Sequence, residues 1–426
     1  MTERIPCRSA DCRATILPRT AEKTGGYCMP CVQNRERLER EEFIRRNQRD
    51  VNLYEGITDP VEILKIMCER RVPDPLIRYT AYEKTAEELY AALSGRDAER
   101  MQAYAAELIS EDELDIAEDI LLSLVCFTGI HVHDCLPALI GKGRYYPAIL
   151  FRQAPSAIRD FLLDQVEKDA ENRNFLLLAL AWVGDEAVAA RFHQWRETPP
   201  VWAGELYVPP HRYSLEAGWV LSGEGSRSDL FYEECRTFEK GTPSGSEPVA
   251  LFGESEESCR GCGNKLTVLF DLDLQHPSLR FLEMEGERLK IATCLSCTCY
   301  GFIFTDIDGK GGSGWSRYNP APAVSPVPEE DGPPDTGDRP ALRFSGKERG
   351  TYYAAVWTQE PAVASQVGGH PTWIQDAEYP DCPGCSAKMT FLAQFSWEDA
   401  DDYGEGITYA FVCKDCQVAA THFQQT

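Results

Sequence analysis

Cys382-Pro383-Gly384-Cys385 and Cys413-Lys414-Asp415-Cys416 are two short cysteine pairs that stand 27 residues apart in the C-terminal part of the chain. Two thiolates with two residues between them can bind one ion through a tight turn, and two such turns complete a tetrahedral site of four sulfur atoms. Thiolate ligands favour zinc over magnesium or calcium, and iron remains open as an alternative. This stretch therefore predicts a metal-stabilised module built on strands that join the two turns.

The same pattern occurs at two other places in the chain. One set has 31 residues between its pairs, and the N-terminal set has 15 residues between its pairs and a looser first pair with four intervening residues. The chain has 17 cysteines, an odd number, and no apolar export signal, which disfavours a disulfide framework. We therefore predict three structural zinc sites, whose ligands are Cys7, Cys12, Cys28 and Cys31, then Cys259, Cys262, Cys294 and Cys297, then Cys382, Cys385, Cys413 and Cys416.

The two C-terminal sets belong to an internal duplication. Lysine and threonine follow the first cysteine pair at the same offsets in both copies, as Lys265 and Thr267 and as Lys388 and Thr390. In each copy a predicted strand follows the first pair, and a second predicted strand ends at the second pair. This order is typical of a zinc ribbon, so we predict a β-rich region over residues 245–426 that contains two of them.

The rest of the chain predicts two further domains. Residues 1–50 contain the N-terminal cysteine set and a charged helix, and residues 51–240 contain short segments of helical periodicity divided by prolines. Many short amphipathic helices in series favour a HEAT-like solenoid, with an irregular helical bundle as the alternative. The predicted fold class is therefore α+β and multidomain: a small zinc module, an all-α middle, and a duplicated zinc-ribbon region interrupted by a proline-rich acidic linker at residues 319–340.

The charge of the chain is strongly negative and uneven. The formal net charge is −25, yet residues 1–50 carry eleven basic and eight acidic side chains, so that the remaining residues carry −28. An acidic surface disfavours nucleic acid and favours a basic protein partner. No stretch is apolar over the roughly 18 residues that a membrane span needs. We therefore predict a cytoplasmic protein without a membrane partner.

Two acidic stretches are the candidate contacts for a basic partner. Residues 111–119 carry six acidic side chains, and a second run lies in the loop between the predicted strands of the last ribbon. The alternative for either stretch is an ordinary solvated surface. The candidate residues are Glu111, Asp112, Glu113, Glu398, Asp399, Asp401 and Asp402.

The sequence favours binding over catalysis. Each cysteine set supplies four thiolates, whereas a catalytic zinc usually keeps one position open for water. His131 and His133 are close enough in sequence to bind a metal with Asp134 or Cys135, although a polar helix boundary is the alternative. His370 is interpreted as a turn residue rather than a base. We therefore predict no enzymatic activity, no catalytic residues and no cofactor other than zinc, with a metalloenzyme that uses His131 and His133 as the alternative.

A resemblance to known families adds to this interpretation. The residues that carry it are Gly368-Gly369-His370-Pro371-Thr372-Trp373-Ile374-Gln375, the pair Cys382 and Cys385, Met389-Thr390-Phe391-Leu392-Ala393-Gln394, Gly406-Ile407-Thr408-Tyr409-Ala410-Phe411, and the pair Cys413 and Cys416. The succession resembles the YwqG-like family, a bacterial domain of unknown function. It is also similar to the C-terminal domain of programmed cell death protein 2, a eukaryotic chaperone of a ribosomal protein. The resemblance covers residues 365–417 well and residues 250–305 more weakly.

The resemblance implies a binding role and no catalytic residues. YwqG-like proteins often occur in polymorphic-toxin neighbourhoods, and the N-terminal zinc module is similar to modules of some bacterial immunity proteins. We therefore expect an immunity protein that neutralises a basic toxin domain by occlusion. The alternative that the eukaryotic relative implies is a chaperone or assembly factor for a basic client such as a ribosomal protein.

Overall fold

A computed structural model describes residues 4–319, 342–359, 361–400 and 404–426 of the chain. These residues form two compact units, one that extends to Ala86 and one that begins at Glu87. The predicted proline-rich acidic linker at residues 319–340 lies outside the described residues, apart from Asn319.

The two units divide the chain at a different place from the predicted boundaries at 50/51 and 240/245. A strand over Arg49–Val51 pairs in parallel with a strand over Ile77–Tyr79, and this pairing keeps the residues between them with the N-terminal unit. The strand over Tyr232–Lys240 lies inside the largest sheet, so the helical region and the β-rich region belong to the same unit. Backbone pairing between distant residues, which periodicity does not reveal, is the reason for both differences.

The N-terminal unit combines short strands with helices. The predicted charged helix is present, and along it an ion pair between Arg37 and Glu41, 2.6 Å long, joins side chains one turn apart. A middle region without strands was predicted, and the parallel strand pair corrects this for residues 51–86. The elements of the unit are β1 (Ile5–Pro6), β2 (Thr15–Ile16), α1 (Pro18–Thr24), α2 (Met29–Asn47), β3 (Arg49–Val51), α3 (Pro60–Cys68) and β4 (Ile77–Tyr79).

The second unit begins with helices. In the helix over Ser156–Lys168, Leu162 and Val166 are buried and Phe161 is exposed. A HEAT-like repeat stays a prediction, since the described helices range from 6 to 16 residues and 3-10 turns lie between only some of them. The helices are α4 (Ala86–Ala91), α5 (Gly95–Ser110), α6 (Leu114–Ser123), α7 (Leu136–Gly141), α8 (Ser156–Lys168), α9 (Arg173–Val183) and α10 (Glu186–Glu197).

Strands form the rest of the second unit. Their bounds are β5 (Trp219–Leu221), β6 (Arg227–Asp229), β7 (Tyr232–Lys240), β8 (Val249–Ser258), β9 (Lys265–Asp273), β10 (Arg288–Thr293), β11 (Ile303–Ile307), β12 (Ser313–Trp315), β13 (Leu342–Arg349), β14 (Gln366–Gly369), β15 (Thr390–Ser396), β16 (Ile407–Cys413) and β17 (Val418–Gln424). Within the described ranges, the large sheet has the order β12-β11-β17-β16-β15-β14-β7-β13, and the small sheet has the order β10-β9-β8. A hairpin of β5 and β6 corrects the prediction of an all-α middle for residues 219–229.

Both faces of β16, in the large sheet, are buried. Ala410 and Val412 belong to a core that also contains Ile291 of the small sheet. Tyr409 and Phe411 alternate with them and belong to a second core on the opposite face. Because successive side chains of a strand point to opposite faces and both faces are covered, every residue of β16 is buried.

The two predicted ribbon copies share one order of elements. In each copy a cysteine pair precedes a strand, β9 or β15, and the next strand, β10 or β16, leads into the second cysteine pair and then into β11 or β17. The copies join through β11 and β17, which pair with each other antiparallel. The hydroxyls of Thr293 and Thr421, 2.6 Å apart in the interior, form a second link between the copies.

No helix in the described part of the chain has the length and apolar character that crossing a membrane would require.

Candidate functional site

The structure brings the twelve predicted cysteines together in three groups of four. Within each group the sulfur atoms lie within 4.8 Å of one another, and these are the groups of potential metal ligands found among the described residues. The shortest recorded pairs are Cys12–Cys28 at 3.6 Å, Cys262–Cys294 at 3.4 Å and Cys385–Cys413 at 3.7 Å. Zn–S bonds of about 2.3 Å in a tetrahedral site would place the sulfur atoms about 3.8 Å apart. The observed spacing therefore fits one ion per group.

The turn that carries Cys382 and Cys385 is tightly packed against the second cysteine pair of its group. A Cβ atom at Gly384, between Cys382 and Cys385, would lie 2.9 Å from the sulfur of Cys416. Backbone amides also point at sulfur atoms: the amide of Gly261 donates to Cys259 Sγ at 3.3 Å. Amide donors are typical of sites that hold thiolates rather than thiols, because they stabilise negative charge on sulfur.

Four thiolates at this distance require a cation. Burial and the neighbouring Cys262 raise the pKa of Cys297 to about 12. Burial and the side-chain hydrogen bond with Cys262 raise the pKa of Cys294 as well. A bound divalent ion would remove the mutual repulsion and hold all four sulfurs deprotonated. The arrangement is thus compatible with metal binding. In each of the three groups, all four potential ligands are cysteine sulfur atoms.

His131 and His133, the residues of the alternative metalloenzyme hypothesis, stack on each other. Their ring centroids are 4.7 Å apart, and His133 Nε2 lies 3.0 Å from the backbone oxygen of Arg152. Neither histidine belongs to a group of three or more potential metal ligands among the described residues. Their positions follow helix α6 and its extension, at the helix boundary that was the alternative interpretation.

The predicted acidic contacts have different environments. Glu111, Asp112 and Glu113 are exposed, and Asp112 forms an ion pair with Lys142. In the second stretch Glu398 is exposed. Asp401 and Asp402 lie outside the described residues.

Asp399 requires a correction, because it is buried rather than available to a partner. Only 5% of its surface is exposed. Its two oxygen atoms accept hydrogen bonds from the backbone amides of Ala364, at 3.2 Å, and Ser365, at 2.7 Å. The side chain of Asp399 therefore fixes the backbone of the two residues that precede β14.

Sequence reasoning missed a large cleft in the second unit. Its volume is about 1020 Å³, and it lies between the helical residues around α9 and the segment that follows β14. We call it the aromatic cleft, and its lining includes Tyr146, Trp182, Tyr207, Arg212, Tyr213, Glu216, Trp357, His370, Trp373, Ile374, Asp376 and Glu378. We call residues 370–378 the cleft segment; it has no regular secondary structure.

Buried glutamines fix the backbone of the cleft segment. A buried backbone that is not part of a sheet must find other hydrogen-bond partners, or its polar groups stay unsatisfied at a cost of about 1–3 kcal/mol each. The partners come from three strands of the large sheet. Gln366 donates to the carbonyl of His370 at 2.8 Å, Gln394 accepts from the amide of Thr372 at 2.9 Å, and Gln424 donates to the carbonyl of Asp376 at 3.0 Å. The segment is therefore held rigidly along one wall of the cleft.

His370 is buried in this wall and is neutral. Burial lowers the pKa of His370 to about 4. Its Nδ1 lies 2.9 Å from the carbonyl oxygen of Pro371. The backbone of Pro371 and that of Glu216 both oppose the lowering of the pKa, so the ring lies between two backbone groups.

Glu216 faces the cleft segment from the opposite side. Its Oε1 accepts a hydrogen bond from the amide of Ala377 at 2.7 Å. Burial raises the pKa of Glu216 to about 7, the amide of Ala377 opposes the rise, and the carboxylate of Asp376 adds to it. A carboxyl group that titrates near neutrality in a cleft is a frequent property of functional sites.

Part of this site left a trace in the sequence. The run from Gly368 to Gln375 stood out as a motif, and it forms the end of β14 and most of the cleft segment. Glu216 left no such trace, because it lies in a 3-10 turn 154 residues before His370, and only the packing of that turn on the sheet brings it close.

The chain has a full-length relative. It is 39% identical to the protein of Salmonella typhimurium named YpfL over an alignment of 435 positions that covers 100% of both chains. The chain belongs to the YpfL family. That relative is described as uncharacterized and so adds no activity. No family model matches the chain, and no solved structure matches it. The resemblance to the YwqG-like family and to programmed cell death protein 2 therefore stays a prediction.

Gly368→Ala tests the rigid attachment of the cleft segment. Gly368 has a φ of +73°, and a Cβ atom there would lie 2.2 Å from the backbone oxygen of Glu234. We expect a loss of at least about 2 kcal/mol in the free energy of unfolding, because alanine disfavours this φ and the clash is with backbone. Gly204→Ala, at an exposed position with no atom within 4 Å, is the control and should change stability by less than about 0.5 kcal/mol.

The measurement is urea unfolding followed by tryptophan fluorescence. All eight tryptophans lie between residues 182 and 397, so the signal reports on the second unit alone. Equal midpoints for the two variants would show that the turn at Gly368 does not constrain the segment.

Glu216→Gln tests the cost of placing a carboxyl group in the cleft. The pKa of Glu216 in the fold, about 7, exceeds its ordinary value of 4.5, so between these pH values the folded state binds more protons than the unfolded chain. Stability therefore falls as the pH rises through this window. We expect Glu216→Gln to be more stable than the wild type by up to about 3 kcal/mol at pH 8 and equally stable near pH 4.

The measurement is again urea unfolding followed by tryptophan fluorescence, carried out at pH 4 and at pH 8. Glu111→Gln, which removes an exposed carboxylate from the same unit, should change stability by less than about 0.5 kcal/mol. A gain from Glu216→Gln that is the same at pH 4 and pH 8 would contradict the expected cause.

Proposed function

We propose that the chain is a zinc-stabilised, non-catalytic protein that binds a basic protein partner, and that it acts as an immunity protein that occludes a toxin domain. The observation that carries this proposal is the uneven charge, since the residues after position 50 hold a net charge of −28. Electrostatic complementarity on this scale speeds association with a basic partner and selects against other acidic proteins.

The proposed metal is zinc, and its role is structural. Each cysteine group offers four sulfur ligands, a set that is typical of closed structural zinc sites. Zinc in such a site would cross-link the two turns of each group and would neutralise part of the thiolate charge. The residues of this chain then do the binding, through surfaces that the cross-links keep in place.

Exposed carboxylates on the second unit are the proposed contacts. Glu111 and Glu113 lie in the turn between α5 and α6, Glu398 lies in the 3-10 turn after β15, and all three are exposed. Occlusion needs a surface that covers the basic rim of a toxin active site, and a stable interface of this kind buries roughly 1,600 Å² in total. Rigid elements lower the entropy that such an interface loses on binding.

Cys385→Ser and Cys7→Ser test the metal assignment as a matched pair. Three zinc ions per chain are expected in the wild type and two in each variant, because serine is a poor zinc ligand. Cys385→Ser should also lower the urea midpoint seen by tryptophan fluorescence, since the group it belongs to joins β15 to β16 in the large sheet. Cys7→Ser should leave that midpoint unchanged, because the tryptophans lie in the other unit.

Elemental analysis of the purified chain gives the metal content directly. A structural zinc site contributes on the order of 10 kcal/mol of apparent binding free energy, so a change in midpoint should be large. Iron in place of zinc would refute the metal assignment. An unchanged midpoint for Cys385→Ser would refute the structural role.

Co-purification with the product of the neighbouring gene tests the immunity role. We expect a one-to-one complex and rescue of cells that express the neighbour as a toxin. A variant with Glu111→Gln, Asp112→Asn and Glu113→Gln should slow association, most visibly at low salt, because exposed charges act mainly on the association rate.

Two results would redirect the proposal. No complex and no rescue would rule out an immunity role. Capture of a single ribosomal protein after arrested translation would instead identify the chain as a chaperone for a basic client.

A further inference from the structure

The aromatic cleft has features that the proposed function does not yet use. Aromatic side chains stand at its mouth in solvent: Tyr146 is 54% exposed, Trp357 is 48% exposed and Tyr207 is fully exposed. Exposed tyrosine and tryptophan at the rim of a pocket are common anchors in protein recognition, because they bury a large area with few rotatable bonds.

Carboxylates surround the cleft. Of its described lining residues, Glu216, Asp376 and Glu378 are acidic and Arg212 is the basic one. The negative charge of these carboxylates acts on the nearby tyrosine hydroxyls. Burial is the main cause that raises the pKa of Tyr146, and Glu216 raises it further. Burial likewise raises the pKa of Tyr213, and Asp376 adds to the effect. The potential inside the cleft is therefore negative, which favours a cation.

A second cavity continues the cleft. It has a volume of about 210 Å³, and Trp357 and Ile374 line both spaces. Glu398 and Glu405 line this second cavity and extend the acidic surface. A segment of protein chain that runs past Trp357 and Ile374 would contact both spaces, which an isolated small cation would not.

We infer that the aromatic cleft binds an arginine side chain, presented by an extended basic segment of a partner protein. A guanidinium group is planar, stacks on aromatic rings and carries five N–H donors. It can therefore stack on the exposed rings of the rim and pair with the carboxylates of Glu216 and Asp376. This inference rests on the proposed function in one respect, that the partner is a basic protein.

Glu216 makes the binding depend on pH. The groups that face it are Asp376, Tyr146, Tyr379 and His370. The pKa values of both tyrosines are raised by burial and that of His370 is lowered to about 4, so none of these three changes charge between pH 6 and pH 8. The pKa of Glu216 is about 7, and arginine stays charged, so affinity should rise about fivefold to tenfold from pH 6 to pH 8.

The test uses three fluorescein-labelled octapeptides that differ at one central position, which is arginine, lysine or citrulline in a glycine–alanine background. Fluorescence polarisation with the full chain measures their affinities. We expect the arginine peptide to bind at least tenfold more tightly than the citrulline peptide, which has the same shape without the charge. The lysine peptide should fall between them.

The variants Glu216→Gln and Asp376→Asn identify the site. Each should weaken the arginine peptide at pH 8 by about threefold or more, and Glu216→Gln should abolish the change in affinity between pH 6 and pH 8. Glu186→Gln removes the same charge from the exposed start of α10, outside the cleft lining, and should leave the affinity unchanged. Tryptophan fluorescence checks that each variant is folded.

Several outcomes would overturn the inference. They are equal affinity for the arginine and citrulline peptides, binding that neither cleft variant weakens, and tighter binding of spermidine than of the arginine peptide. If the partner complex forms and the cells are rescued from the toxin, but the arginine peptide does not bind, the cleft assignment fails and the proposed function stands. If the arginine peptide binds and no partner is captured, the proposed function fails and the cleft assignment stands.

Discussion

The arrangement of the second unit depends on satisfying a buried stretch of backbone that belongs to no strand. The cleft segment crosses the interior beside the large sheet, and without side-chain partners its amides and carbonyls would destabilise the fold. Gln366, Gln394 and Gln424 supply those partners from three strands. Once the segment is fixed, Trp373 packs on Tyr409 at a centroid distance of 4.8 Å, and His370 lies where it can line the cleft.

The two C-terminal cysteine groups lie at the ends of strands in two different sheets. Each group closes the turns at the ends of a pair of strands, and the antiparallel pairing of β11 with β17 joins the two copies. The duplication places β9 and β10 in the small sheet and β15 and β16 in the large sheet, where every residue of β16 is buried. Loss of the group that contains Cys385 would therefore disturb the strands that carry Gln394 and Gln424, and with them the support of the cleft segment.

The position of Glu216 has a cost to stability. The fold keeps this carboxyl group in a cleft that raises its pKa to about 7, beside the carboxylate of Asp376 and above a histidine that burial keeps neutral. Groups that are unfavourable for folding are common where binding needs them, because a ligand of opposite charge recovers the lost free energy. The net charge of −25 and this local arrangement are the two observations behind the proposal of a basic partner segment.

The sequence by itself determined the cysteine groups, the charge and the order of strands around the last two groups. Spacing of two or four residues holds each cysteine pair to one turn, and alternation of apolar residues marks the strands, so these features are local. Tertiary structure alone decided the domain boundary at Ala86, the burial of Asp399 and the cleft. Glu216 and His370 are 154 residues apart in the sequence, and no local pattern records that a 3-10 turn packs against the end of β14. Contacts of this kind depend on how whole elements fill space, which periodicity and spacing do not encode.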